Sequence, residues 1–599
     1  MEVRVEYKNR KETPKAYKWD LTAYYKDDKE WEKDYLKIIK EFENIKSYEG
    51  KVTKSANMLY QTLEEYFAYE SRLTKLFVYA SLRHDEALED ADASMIYNKI
   101  YKTYNDFCAA ASFIEPEIIK EETSKVEKLI ETKKLNKYKF YVTNILREKE
   151  HMLSSSEEKL IAKLTSTNHT FKNVNMTLLN STLDYGEVKS EKETRKITNS
   201  NYHIIMENAD RNIRRDAYEK LTSKIAEFKN IFAENLVSNM KNTSSMAEIR
   251  KFPSTLDSLL FSSNIPKSVV DSLYKVINKN LNVYQKYLKL IKNSLGLKEL
   301  AYYDLNAQIL TDEMSFSIED AQYLIGEATK IYGEEYHDII EKAFDEKWVD
   351  YCSYKGKASG AYCTSCYGAH PVVLTNFFGK FGDVSAVAHE LGHAVNFYLS
   401  QQANNKHDYN NDIFVAEVAS LTNEIILSNY VIEHSRNKNL KLIALYNLIN
   451  LIQNNLFDAC LEGELENKAY TLIDNGETID AEYLSSTIYD IRSKYYKDVV
   501  NLDDKSKYSW IRREHYFYPF YLFKYATGVS AAIMIATKII NNEDDMKNKY
   551  ISFLKMGDTD YPVELLKKIG IDMTKEEVYV NAVNFFSNLI DEFDKESDK

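Results

Sequence analysis

The sequence predicts a mainly α-helical protein on three observations. Proline and glycine are scarce, at 7 and 16 of 599 residues, and a chain with few breakers makes few tight turns. Apolar residues recur at three-to-four spacing over long stretches. One segment, 351–400, departs from this habit and collects Gly356, Gly360, Gly368, Gly379, Gly382 and Gly392, as backbone that turns sharply or approaches another group closely requires.

From 27 to 150 the pattern is helical. Leu59, Leu63, Tyr66 and Phe67, then Leu73, Leu76, Phe77 and Ala80, form one apolar stripe opposite a charged face. The pattern loosens over 177–197, where Asp184-Tyr185-Gly186 marks a turn, and helices resume from 200 to 294. Pro371 to Phe377 reads as a strand bounded by turn residues. A helix follows with Asp383 as its N-cap, and the chain stays helical to a frayed acidic tail, DEFDKESDK. The 47 tyrosines suit half-buried helix faces, where the ring is buried and the hydroxyl stays wet.

The charge excludes some functions. The net charge is -13 and lysines are interspersed with acids, so no basic stripe exists for nucleic acid. The first residues hold no apolar signal segment, and no run of about 18 apolar residues predicts a membrane span. Five scattered cysteines (Cys108, Cys352, Cys363, Cys366, Cys460) are too few for a disulfide framework. Together these predict a cytoplasmic protein without a membrane partner. No obligate protein partner is evident.

His389-Glu390-Leu391-Gly392-His393 carries the chemistry. On a helix, residues four apart share a face, so both imidazoles can reach one metal ion. Glu390 lies about 100° around the helix, beside the ion, where it can accept a proton from metal-bound water. The surroundings are apolar (Val387, Ala388, Leu391, Ala394, Val395), a costly place for polar groups without a partner. Catalytic zinc takes a third protein ligand and keeps one position open. Asn396 and Leu399 stand where a metzincin needs Gly and His, which excludes that class. The third ligand then comes from a following helix, 412–424, where Glu417 and Glu424 sit two turns apart on one face. Either can ligate, and the other would orient a ligand histidine. His407, in the polar stretch QQANNKHDYNND, reads as a solvated loop residue. Cys363-Thr-Ser-Cys366 has no second pair to complete a zinc site, so these cysteines are read as structural.

HELGH followed by FVAEVASLTNE resembles the oligoendopeptidase F group of the thimet-oligopeptidase-like zinc peptidases. The resemblance extends over most of the chain: WDLTAYY at 19–25, NADRNIRRDAYEKL at 208–221, GKASGAYC, YPFYLFKYATGVSAA and FLKMGDTDYPVELLKKIGIDM. It selects Glu417 as the third ligand and implies one Zn2+ per chain. It implies two helical lobes enclosing a deep substrate channel, with a small β-sheet beside the zinc helix. It further implies an N-terminal helical region at 1–110, an oligopeptidase F-type N-terminal or lid domain at 111–200, and a catalytic domain at 201–599. The activity implied is endopeptidase hydrolysis of short oligopeptides by a Glu390-activated, zinc-bound water.

The segment 512–525 concentrates polar aromatic groups. By spacing, His515, Tyr518, Leu522 and Tyr525 would share a helix face that Pro519 distorts. Hydrolysis needs donors aimed at the scissile oxygen. The family supplies a His and a Tyr from this region, matching His515 and, as first choice, Tyr518, with Tyr521 and Tyr525 as reserves that line the substrate site. The strand 371–377 is proposed to pair an extended substrate along an exposed edge, with Gly360 and Ala361 leaving room for the substrate backbone.

Overall fold

A computed structural model describes residues 6–165, 169–189, 194–310 and 314–598. Helices dominate, and the chain divides into two compact units built from interleaved segments. The first unit comprises Met1–Met152, Met314–His434 and Ile535–Ile571; the second comprises Leu153–Glu313, Ser435–Met534 and Asp572–Lys599.

In the first unit the predicted stripe lies on a helix, Ala56–Asp85, that buries Leu59, Leu63, Phe67, Leu73, Leu76 and Ala80. Ser55 caps it by accepting from the Met58 amide. Beside this helical layer lies a four-stranded sheet of β1 (Glu6–Tyr7), β2 (Val349–Tyr354), β3 (Tyr362–Thr364) and β4 (Val372–Phe377), in the order β1-β2-β4-β3. Strands β1 and β4 run parallel to β2, whereas β3 runs antiparallel to β4. The β2–β4 register pairs Val349 with Val373 and slips between Asp350 and Cys352. Strand β4 is buried at five of its six positions, as a strand covered on both faces should be.

Strand β4 does not have the exposed edge expected of 371–377 from the sequence. It is paired on both sides, and the sheet edge next to it is β3, which follows Gly360 and Ala361 directly. A short apolar run cannot show whether its strand is central or peripheral.

The motif helix, Phe381–Ala403, packs against β3 and β4. Asp383 does not stand at its N-cap. It lies inside the first turn, where its Oδ2 accepts from the amides of Phe378 (3.0 Å) and Lys380 (2.8 Å) and so meets orphan donors from within. The carboxylate helix, Ile413–His434, crosses the motif helix at Gly392. A Cβ at Gly392 would lie 2.7 Å from the Ser420 Cα and 2.8 Å from the Ala419 carbonyl oxygen. Glycine there, facing Ala419 and Ser420, permits the close crossing. Gly392→Ala should push the helices apart and cost about 1–3 kcal/mol, as overpacking does, seen as a lowered unfolding midpoint.

The second unit is built on long amphipathic helices. The helix Glu576–Asp598 packs on Lys267–Lys279, Leu281–Ser294 and Lys438–Ile452. It extends to Asp598, so the acidic tail is helical up to that residue, and it is anchored by buried Phe586, Leu589, Ile590 and Phe593. Two short strand pairs complete the unit: Glu187–Lys189 with Thr194–Lys196, and Leu300–Ala301 with Val500–Asn501. Many tyrosines go deeper than half-buried. Tyr138, Tyr218, Tyr284, Tyr495 and Tyr516 are fully enclosed, and each hydroxyl donates to a carboxylate: Glu64, Asp503, Asp458, Glu464 and Glu462 respectively. A buried phenol needs a partner, and an acid supplies it.

Among the described residues one helix, Leu522–Ile540, is long and apolar enough to cross a membrane by length and composition, but 72% of that window is buried inside the protein. It is a core helix.

Candidate active site

The close crossing at Gly392 brings the two halves of the motif together within the first unit. Among the described residues, His389, His393 and Glu417 form a group whose ligand atoms all lie within 4.8 Å of one another. The Nε2 atoms of His389 and His393 are 3.3 and 3.6 Å from one Glu417 oxygen. The geometry separates the two carboxylates that spacing left equivalent. Glu417 joins the histidine cluster. Glu424 instead accepts from His389 Nδ1 at 2.7 Å and from the Ser385 hydroxyl at 2.6 Å. That contact keeps a proton on Nδ1 and turns Nε2 toward Glu417 and His393, where it can face an ion.

The helix crossing is further tied by hydrogen bonds. Asn423 donates to the Ala388 carbonyl at 3.0 Å, and Tyr336 donates to Asn423 at 2.7 Å. The cluster is therefore held from behind by a polar shell. Glu424→Ala should weaken metal affinity by about 10–100-fold without abolishing binding, measured by competition with a chromophoric chelator.

Electrostatics mark the cluster as a place for a cation. Burial works against charge on His389, but the hydrogen bonds it donates to Glu417 and Glu424 prevail and hold its pKa well above the imidazole range. Burial would likewise raise Glu417, but contacts with His389 and His393 hold it far below the usual carboxylate range. The carboxylates thus favour positive charge in the cluster, which a divalent ion on neutral imidazoles would supply. Glu390 is 7% exposed. Burial pushes its carboxyl up, only partly offset by the two histidines.

His407 is elsewhere. It is not a solvated loop residue, since its ring packs on Tyr138 and Phe67 at centroid distances of 4.5 and 5.0 Å. Its Nε2 meets Asp408 at 3.0 Å and the Lys137 carbonyl at 2.9 Å. Aromatic neighbours distant in sequence bury it within a polar stretch. Cys363 and Cys366 are free thiols, with Cys366 buried. Asn376, on β4, donates to the carbonyls of Ala358 and Gly360 at 3.0 and 2.9 Å, fixing the glycine turn before the open β3 edge. Gly360 has φ +85°, with open space where a Cβ would stand.

The second unit holds His515, Tyr518, Tyr521 and Tyr525. They do not share a helix face. A 3-10 turn covers Glu514–Phe517, and the helix starts only at Leu522. Tyr518 has φ -118° and ψ 87°, because a residue before proline is pushed out of the α region. The resulting turn sets the His515 ring 5.8 Å from Tyr525 and 6.4 Å from Tyr521, centroid to centroid. Tyr518 is 46% exposed. Its hydroxyl accepts from Lys172, which also pairs with Glu514 at 2.5 Å. Accepting from Lys172 leaves the phenol proton free to be donated elsewhere. Burial, with Arg513 nearby, holds His515 below the imidazole range, so at neutral pH it is uncharged and offers one N–H. Lys172 carries no sequence signal, since its partners lie more than 340 residues away.

Residues 204–585 match the profile of peptidase family M3, and residues 117–185 match that of oligopeptidase F. The chain belongs to peptidase family M3. It is 31% identical over 596 residues to the plasmid oligoendopeptidase F of Lactococcus lactis subsp. cremoris, covering 98% of both chains. It is 30% identical over 581 residues to oligopeptidase PepF of Bacillus subtilis, covering 96% of this chain and 87% of that one. The crystal structure of oligoendopeptidase-F from Enterococcus faecium superposes with a TM-score of 0.73 at 27% identity, over 95% of this chain and 99% of the other. This M3 protein is accordingly a metallopeptidase of the oligoendopeptidase F type, with a mainly helical fold.

Proposed function

We propose that this M3 metallopeptidase is a cytoplasmic, zinc-dependent endopeptidase that hydrolyses internal bonds of short oligopeptides. The observation that carries the reading is the convergence of His389, His393 and Glu417, with the buried Glu390 on the same helix. Two imidazoles and one carboxylate are the donor set of a catalytic zinc with one open position. Those three residues would hold the ion, and a bound zinc would supply Lewis acidity to polarise the reacting oxygens.

The chain's own groups do the rest. Glu390 takes a proton from the attacking water and passes it to the departing amine. His515, through its single N–H, and Tyr518, through the proton its lysine contact leaves free, donate to the oxygen of the scissile carbonyl as charge develops there. Tyr521 and Tyr525 line the peptide. The open β3 edge, with Gly360 and Ala361 exposed ahead of it, pairs with the substrate backbone, and such main-chain pairing reads little sequence.

A carboxypeptidase with the same metal helix is the nearest rival. A peptide blocked at both ends separates them. Cleavage at internal bonds, shown by mass spectrometry of the products, is the expected result. A blocked peptide left intact while its free-carboxylate counterpart loses C-terminal residues would overturn the endopeptidase reading.

A further inference from the structure

Glu466 is a buried acid that the mechanism above does not use. It sits on the helix Ala459–Asp474, is 1% exposed, and burial pushes its carboxyl up to about 8. Its Oε1 accepts from the Phe520 amide at 2.7 Å. Phe520 has φ +51°, a left-handed conformation that costs any residue with a Cβ. Something must hold it there. The same helix supplies two holds, because the Phe520 ring also packs on Tyr470, one turn beyond Glu466, at a centroid distance of 5.1 Å.

Phe520 lies between Tyr518 and Tyr521, and the segment is chained by turns. The Tyr518 amide donates to the His515 carbonyl at 2.9 Å, and the Tyr521 amide donates to the Tyr518 carbonyl at 3.1 Å. A rotation at Phe520 therefore moves Tyr518 and Tyr521 and pulls on His515. Without its acceptor the Phe520 amide would be a buried, unmet donor, and the left-handed conformation would lose its reason to persist. Catalytic donors tolerate little displacement.

We propose that Glu466 is a positioning residue, which pins the strained Phe520 and so sets the donor turn that carries His515 and Tyr518. The inference rests on the role given to those two residues above. The full-length zinc-loaded protein with Glu466→Gln keeps an acceptor at the same place and should retain kcat within about twofold of the native value. Glu466→Leu and Glu466→Asp, which remove the acceptor or shorten its reach, should lower kcat by about tenfold or more while KM and zinc content stay near native. Native kcat in either of these variants, or a Gln variant as impaired as Leu, would overturn the proposal. Should the Leu variant fail to fold, the Asp variant decides. His515→Gln serves as the control. If it turns over normally, the donor assignment itself falls; if it is impaired while Glu466→Leu is not, only the role of Glu466 falls.

Discussion

Glu390→Gln should leave the metal in place and lower turnover by about a hundredfold or more. The substitution keeps the size and hydrogen-bonding outline of the side chain but removes its ability to take a proton. Glu390 is not in the His389–His393–Glu417 group, so metal content should not change. Burial raises the Glu390 carboxyl above the usual carboxylate range, and glutamine has no carboxyl to take up a proton. Steady-state kinetics together with elemental analysis of the same preparation read both parts. A Gln variant with near-native turnover would remove Glu390 from the mechanism, and one that has lost its metal would make it a ligand.

His393→Ala should abolish activity by a different route, through loss of the ion. Three protein ligands are the minimum of a catalytic zinc site, and alanine leaves His389 and Glu417 as a pair. Glu417, now held far below the carboxylate range by both histidines, would keep one of them. Bound metal should fall to near zero, and activity with it, whereas Glu424→Ala should show only the graded loss stated above. Equal losses from His393→Ala and Glu424→Ala would erase the distinction between a ligand and a residue that orients one.

The sequence was legible where local pattern decides structure. The stripe from Leu59 to Ala80 gave its helix, and the four-residue spacing of His389 and His393 gave half of the metal cluster, because both depend only on helical period. The other half depended on how two helices cross. Glu417 and Glu424 are equivalent by spacing, and only the approach of Ala419 and Ser420 to Gly392 makes one a member of the cluster and the other a hydrogen-bond partner of His389. The glycine in the motif was visible, but its partner surface was not. Strand β4 and His407 differ from the sequence expectation for the same reason: edge against centre, and loop against interior, are settled by residues far away in sequence. At 512–525 the helical period is overruled by Pro519, whose effect on the Tyr518 backbone is local. The holds on that turn, Lys172 and Glu466, come from distant helices and carry no motif.

The proposed site of His389, His393 and Glu417 would hold a single zinc. The most direct measurement is the elemental content of the purified native chain after extensive dialysis against metal-free buffer. One zinc per chain is the expected result, with no other transition metal in comparable amount. A chain that cleaves peptides while holding no zinc, or that holds another metal in its place, would contradict it.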